Sequence, residues 1–207
     1  MFIKSLYLGV CMTNCYIVSG DNQSCIVIDP ASDAEIISNE IAKNNFNLSA
    51  IFLTHGHFDH IFAIPELINK FPNAKIYLHK DEEKYLKDTS LNLSPMFGEN
   101  FVYTGKVTCV TDGDILSECG LKFKVMHTPG HTEGSVCYIA EDSIFSGDTL
   151  FASTVGRTDF PLGSFPTLLS SLNKLKALEK DYNIYPGHNA ATTLNREKKF
   201  NEYLQIK

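Results

Sequence analysis

The segment Thr54-His55-Gly56-His57-Phe58-Asp59-His60 places four strong metal ligands within six residues. Imidazole nitrogen together with carboxylate oxygen suits zinc, iron, manganese or nickel. On an extended turn alternate side chains share a face, so His55 and His57 can point the same way. Asp59 and His60 then fall at the start of a helix, from which they reach toward a second ion. A His-Glu-x-x-His helix would instead stack two ligands four residues apart. Gly56 relieves crowding between the two ligand-bearing residues. Three later positions share one format, an apolar run, a small or turn residue, then a ligand type. They are His131 after Pro129-Gly130, Asp148 after Ser146-Gly147, and His188 after Pro186-Gly187. Strand ends carrying loops are where rigid scaffolds hold reactive groups. The bland alternative is a solvated loop with incidental histidines, and it leaves clustered imidazoles without partners. His79 and His127 read as structural, with His127 able to steady a ligand from behind.

Those ligands need strands to carry them. Apolar runs at residues 2–8, 15–19 and 25–29 read as strands, separated by turn residues such as Gly20-Asp21-Asn22. Residues 33–43 read as a helix with Ile36, Ile37 and Ile41 on one face, and residues 50–54 as a strand leading into the histidines. Residues 59–70 carry a helical stripe of Ile61, Ile64, Leu67 and Ile68, with Pro65 forcing a kink or a late start. A strand at 75–79 and a short helix at 81–87 follow. Residues 88–106 have weak periodicity and read as a loop, a lid over the site, with Met96, Phe97 and Phe101 as candidates either for an apolar wall or for core packing. Strands resume at 106–110, 122–127, 135–140 and 143–146. A helix at 165–179, a strand at 183–185 and a final helix at 194–204 complete the chain. Strands then helices, twice over, predict an α+β domain of two packed sheets with helices on both outer faces.

The composition removes several classes. The 207 residues suit one domain, 1–207, able to bury a core without disulfides. Eighteen basic against 24 acidic residues give a net charge of −6, so no nucleic-acid partner is expected. No apolar stretch reaches the length of a membrane span, and no signal peptide is apparent, so the expected location is cytoplasmic. The six cysteines form no Cys-x-x-Cys pair and are expected to stay reduced, with Cys25 and Cys137 as small core residues.

The set His55, His57, Asp59, His60, His131, Asp148 and His188 resembles the metallo-β-lactamase superfamily across essentially the whole chain. The resemblance implies a four-layer αββα sandwich with metals between loops at one sheet edge. It implies that His55, His57 and His131 bind a first metal, that Asp59, His60 and His188 bind a second, and that Asp148 bridges them. Asp29, in Ile28-Asp29-Pro30, matches the family's early aspartate, which braces the histidine loop; by itself it also reads as a plain turn residue. The cofactors implied are two divalent ions, zinc first, with iron or manganese as alternatives. Two such ions acidify a shared water to a pKa of roughly 7, which serves as nucleophile. Asp59 would be the catalytic side chain, ligating a metal and orienting that nucleophile.

Within the family, Gly147-Asp148-Thr149-Leu150-Phe151 is similar to the glyoxalase II-type thioester hydrolases, and the segments from Gly156 to Pro161 and from Tyr185 to Thr193 resemble their short bacterial members. The substrate class implied is a small acyl thioester such as S-lactoylglutathione. Its thiolate leaving group, from a thiol of pKa roughly 8.5, needs little acid assistance. The long C-terminal helical domain of full-length glyoxalase II has no counterpart, and Ala190 stands where those enzymes carry a tyrosine. Both departures weaken the case for tight glutathione recognition. Arg157, near the position of their glutathione-contacting lysine, is a candidate to bind a substrate carboxylate or to form a structural ion pair. Two alternatives stay open. Persulfide dioxygenases, which use one iron, share the fold and the Gly-Arg-Thr-Asp-Phe segment. A metal-stabilised binding protein without catalysis is the other.

Overall fold

Several early segments are apolar at nearly every position, which a strand tolerates only when both its faces are covered. The computed structural model shows how they are covered. It describes residues 1–21 and 23–206; Asn22, from the expected Gly20-Asp21-Asn22 turn, and Lys207 lie outside the described residues. Strands β1 (Phe2–Leu8), β2 (Thr13–Ser19), β3 (Ser24–Ile28), β4 (Asn47–Phe52), β5 (Lys75–His79) and β6 (Thr108–Val110) form one sheet in that order. The remaining strands are β7 (Ile115–Glu118), β8 (Leu121–His127), β9 (Val136–Ala140), β10 (Ser143–Gly147), β11 (Leu150–Phe151), β12 (Thr154–Val155), β13 (Asn183–Pro186) and β14 (Thr192–Thr193). The second sheet has the order β14-β13-β10-β9-β8-β7, and β11 pairs with β12 as a separate ribbon.

Alternate residues of each strand serve different layers. Cys15 and Ile17 of β2, with Val27 of β3 and Ile51 of β4, pack outward against α1 (Ala34–Lys43). Tyr16, Val18, Ile26, Ile28 and Phe52 face inward against Phe123, Val125 and Tyr138 of the second sheet. The ring of Phe52 lies 5.0 Å from Phe123 and 4.9 Å from Tyr138, contacts that add about 0.5–1.5 kcal/mol each beyond their area. Outward from the second sheet, Cys137 and Ile144 meet helical leucines 168, 172, 175 and 194. The result is the expected four-layer αββα sandwich. No helix among the described residues is long and apolar enough to cross a membrane.

Local expectations changed where proline or tertiary contacts intervened. The helix expected over 59–70 is two, α2 (Phe58–Ile61) and α3 (Ile64–Lys70). Pro65 lies in the first turn of α3, where its missing N–H costs nothing. The loop at 88–106 is partly ordered into α4 (Thr89–Asn92) and a 3₁₀ turn at Ser94–Phe97, tied by Asn92 donating to the carbonyls of Tyr85 and Phe101. Phe101 packs into the outer core of the first sheet, so it belongs to no wall over the site. The last helices are α5 (Phe165–Lys176) and α6 (Leu194–Phe200), each shorter than expected.

His79 and His127 end β5 and β8 and stack across the two sheets, centroids 4.1 Å apart and planes 10° from parallel. Burial first, then the neighbouring His127, pulls the His79 pKa down to about 4; Asp81 and Asp112 oppose this and Lys80 assists it. The unfolded chain then binds a proton at a higher pH than the folded one. Stability from neutral His79 is therefore full above about pH 6.5 and is lost as pH falls toward about 4. A His79→Phe variant keeps a ring to stack and removes the titration, so its melting temperature should fall less steeply than wild type between those limits. Parallel curves would remove His79 from the acid response.

Candidate metal centre

All seven predicted ligands lie on segments that follow strands. β4 ends at Phe52 and leads to His55, His57 and α2, whose first turn carries Asp59 and His60. β8 leads to His131, β10 to Asp148, and β13 to His188. The structure gathers them into three overlapping groups whose ligand atoms lie within 4.8 Å of one another: His55, His57 and His131; His55, His60 and Asp148; Asp59, His60 and His188. Five of the seven are buried, and Asp59 and His188 are half-buried.

Three of the rings have one nitrogen committed to the scaffold. His55 Nδ1 meets Thr54 Oγ1 at 3.1 Å, His60 Nδ1 meets Asp29 Oδ2 at 3.0 Å, and His131 Nδ1 meets the Arg157 carbonyl at 2.7 Å. Such partners fix a ring's orientation and leave the opposite nitrogen available. His131 Nε2 faces His57 Nδ1 at 2.9 Å. The Nε2 atoms of His55 and His60, and Asp148 Oδ1, are buried without a hydrogen-bond partner among the described residues. Buried polar atoms left this way are costly unless something binds them. Asp148 Oδ2 lies 3.5 Å from both His131 Nε2 and His188 Nε2, so one carboxylate faces both groups.

The electrostatics agree. Burial, reinforced by neighbouring histidines, holds His55 and His57 well below the usual imidazole range, and burial also lowers His131. These rings are neutral, the form that binds metal. Burial opposes charging His60, but Asp59, Asp148 and Asp29 prevail and push it up to about 10. His188 rises against its burial because it meets Asp59 and Asp148. Burial would raise Asp59, yet His60 and His188 hold its carboxyl well below the usual carboxylate range. A cluster that draws protons onto imidazoles to balance its carboxylates also takes a metal cation, because the same lone pairs serve both. The donor set, nitrogen and carboxylate oxygen, fits divalent first-row ions.

Close approach needs glycine at the two ends of the site. A Cβ at Gly187 would collide with Asp148 Oδ1, and one at Gly56 with the Tyr85 side chain. Asp29 braces the histidine loop, accepting from the Thr54 amide at 2.8 Å and the Thr54 hydroxyl at 2.6 Å. Its own φ of 51° is a left-handed conformation that a non-glycine residue holds only at some cost.

Arg157 lines the cavity, but its guanidinium is held by Asp159 through bonds of 2.7 and 2.6 Å and lies 4.0 Å over the Phe160 ring. The contact it makes to a ligand is through its carbonyl, which orients His131. Met96 and Phe97 line the cavity. His79, Asp81 and His127 make a separate grouping, but the two rings are stacked, so their in-plane lone pairs do not meet at one point. Sequence reasoning missed Thr13, whose hydroxyl donates to Asp59 at 2.8 Å, and Glu82, whose carboxylate bonds Gly56 and Thr132. Neither stands in a motif, because each reaches the site across a long sequence separation.

Residues 8–188 match the metallo-beta-lactamase superfamily. Over 212 residues, spanning 100% of both proteins, the chain is 34% identical to hydroxyacylglutathione hydrolase GloC of Haemophilus influenzae. The crystal structure of the BLEG-1 B3 metallo-beta-lactamase superposes with a TM-score of 0.94 at 34% identity, over 99% of this chain and 100% of that one. TTHA1623, crystallised in a di-iron-bound form, superposes with a TM-score of 0.87 at 30% identity, over 97% and 100%. The match runs from the strands that carry Asp29 and the histidine loop through to His188, on a sandwich of the same architecture, and the chain therefore belongs to the metallo-beta-lactamase superfamily.

Proposed function

We propose that the chain is a binuclear metal-dependent hydrolase of small acyl thioesters of the S-lactoylglutathione kind. The observation that carries this reading is the gathering of the His55 and His60 Nε2 atoms, buried without a hydrogen-bond partner among the described residues, with Asp148, and of His60 with Asp59 and His188. In this reading His55, His57 and His131 would hold one ion, Asp59, His60 and His188 would hold the other, and Asp148 would serve both. Two divalent ions, zinc by preference with iron or manganese as alternatives, would supply Lewis acidity at the carbonyl and lower the pKa of the attacking water. The similarity to TTHA1623, crystallised in a di-iron-bound form, supports iron as an alternative to zinc.

The chain's own residues set the geometry. Thr13 donates to Asp59 Oδ2, the oxygen that faces His60 and His188, and so fixes the carboxylate that would orient the attacking water. Asp59 stays ionised beside His60 and His188, so it accepts that water's hydrogen bond rather than donating one. The cavity above, about 480 Å³, is walled by Met96, Phe97, Phe151 and Phe160. These apolar side chains hold the acyl portion and limit the access of bulk water. A thiolate departs without a strong proton donor, and this suits a cavity whose one arginine, Arg157, is already paired with Asp159. The likeness to a protein named hydroxyacylglutathione hydrolase supports thioester chemistry. For Arg157 to bind a substrate carboxylate, that carboxylate would take the place of Asp159.

Adding zinc, manganese or iron to chelator-treated protein should raise its melting temperature, by about 2.7 kcal/mol of stability at a hundredfold excess over the dissociation constant. An unchanged melting curve with all three ions would count against the metal reading. Purified protein should hydrolyse S-lactoylglutathione, and Asp59→Ala or His131→Ala should lower turnover about 10²–10⁴-fold. Full turnover in Asp59→Ala would sink the mechanism. Oxygen uptake with a persulfide, and no thioester turnover, would assign the oxidoreductase reading instead. Arg157→Ala should raise KM about 2- to 5-fold with kcat unchanged, the scale of an exposed ion pair. An unaltered KM would leave Arg157 no role in binding.

A further inference from the structure

Glu82 ends the 3₁₀ turn Lys80–Glu82 that follows β5, and it has no solvent exposure. Its Oε2 accepts from the Gly56 amide at 2.6 Å. Its Oε1 accepts from the Gly134 amide at 2.8 Å and the Thr132 hydroxyl at 2.7 Å. Gly56 separates His55 from His57, and Thr132 directly follows His131. One side chain thus joins the ligand loop of the first sheet to the ligand loop of the second. The donors are shaped for it. A Cβ on Gly134 would press on Glu82 Oε1 and Cγ, and one on Gly56 would approach Oε2. Glu82 lies in none of the groupings able to hold a metal among the described residues, and burial keeps it from any substrate.

We propose that Glu82 is a positioning residue for the metal centre, its two carboxylate oxygens setting the separation of the His55–His57 turn from the His131 loop. The proposal rests on the metal reading above. Chemistry singles out a glutamate here. Two backbone amides from different loops each need an acceptor, and a carboxylate offers one oxygen to each. A glutamine of the same shape has one oxygen, so one loop loses its anchor while its NH₂ group opposes an N–H. An aspartate is one methylene too short to span both. The histidines that would drift are His57 and His131, whose ring nitrogens face each other at 2.9 Å.

The test uses cobalt(II) on chelator-treated full-length protein, with affinity read by chelator competition and ligand geometry read from the visible absorption bands. Glu82→Gln should weaken cobalt binding about 10–100-fold and change the band shape. The control is Glu118→Gln. Glu118 is also a buried carboxylate, bonded to Lys75 and Tyr77, and it lies at the opposite end of β8 from the His131 loop. This control should keep wild-type affinity and bands even if its melting temperature falls as far. If Glu82→Gln does not fold, Thr132→Val, which removes one of the three bonds, should show a smaller loss of the same kind, with Thr132→Ser restoring it. Wild-type cobalt affinity and spectrum in Glu82→Gln, or in Thr132→Val in its place, would overturn the proposal. Absence of cobalt binding by wild type would bring down the metal reading, and this inference with it.

Discussion

The constraint on which the structure depends is the burial of imidazoles and carboxylates at one end of a β-sandwich. Taking such groups out of water costs several kcal/mol each unless every lone pair and proton finds a partner. The molecule meets this by dividing the work of several rings. One nitrogen of His55, His60 or His131 is tied to Thr54, Asp29 or the Arg157 carbonyl, and the other points inward. The inward atoms satisfy one another poorly, and that deficit is one a bound cation would relieve.

The sandwich supplies rigidity because each sheet holds the other's loops. From the second sheet, the Tyr138 hydroxyl donates to the Leu53 carbonyl at 2.9 Å and the Val136 amide to the Thr54 carbonyl at 2.9 Å, pinning the histidine loop of the first. From the first sheet, Asn14 and Tyr16 donate to the Pro186 carbonyl at 2.8 and 2.6 Å, pinning the turn before His188. Each bond contributes about 0.5–1.5 kcal/mol. Their larger consequence is geometric, because ligand positions become coupled to the inter-sheet core around Phe52 and Phe123. The buried carboxylates Asp29 and Glu82 complete this scheme, one behind His60 and the other behind the turn between His55 and His57.

Chemistry and specificity separate along the same lines. The candidate ligands stand at strand ends within the stretch that matches the metallo-beta-lactamase superfamily, whereas the cavity walls come from irregular segments. Met96 and Phe97 sit on a 3₁₀ turn, and Phe151 and Val155 on the small β11–β12 ribbon. Such segments vary without disturbing the sandwich, so substrate choice can change while the metal-binding frame persists.

Much of the site was legible in the sequence because its signals are local. His55, His57, Asp59 and His60 fall within one turn, and His131, Asp148 and His188 each follow a strand and a small residue. Two packed sheets with outer helices were legible too, since strands then helices, twice over, fit few other arrangements. Tertiary structure alone decided how these segments meet. Nothing around Glu82 distinguishes it from its solvated neighbours Asp81 and Glu83, because its partners are backbone amides and a hydroxyl that are 26 to 52 residues away. The Arg157 carbonyl and the Thr13 hydroxyl were hidden for the same reason. Phe101 and Met96 look equivalent in sequence, yet one enters the core and the other the cavity wall. Ligand types are a property of residues, and local spacing displays them; orientation is a property of long-range hydrogen bonds and packing, which leave no periodic trace in the chain.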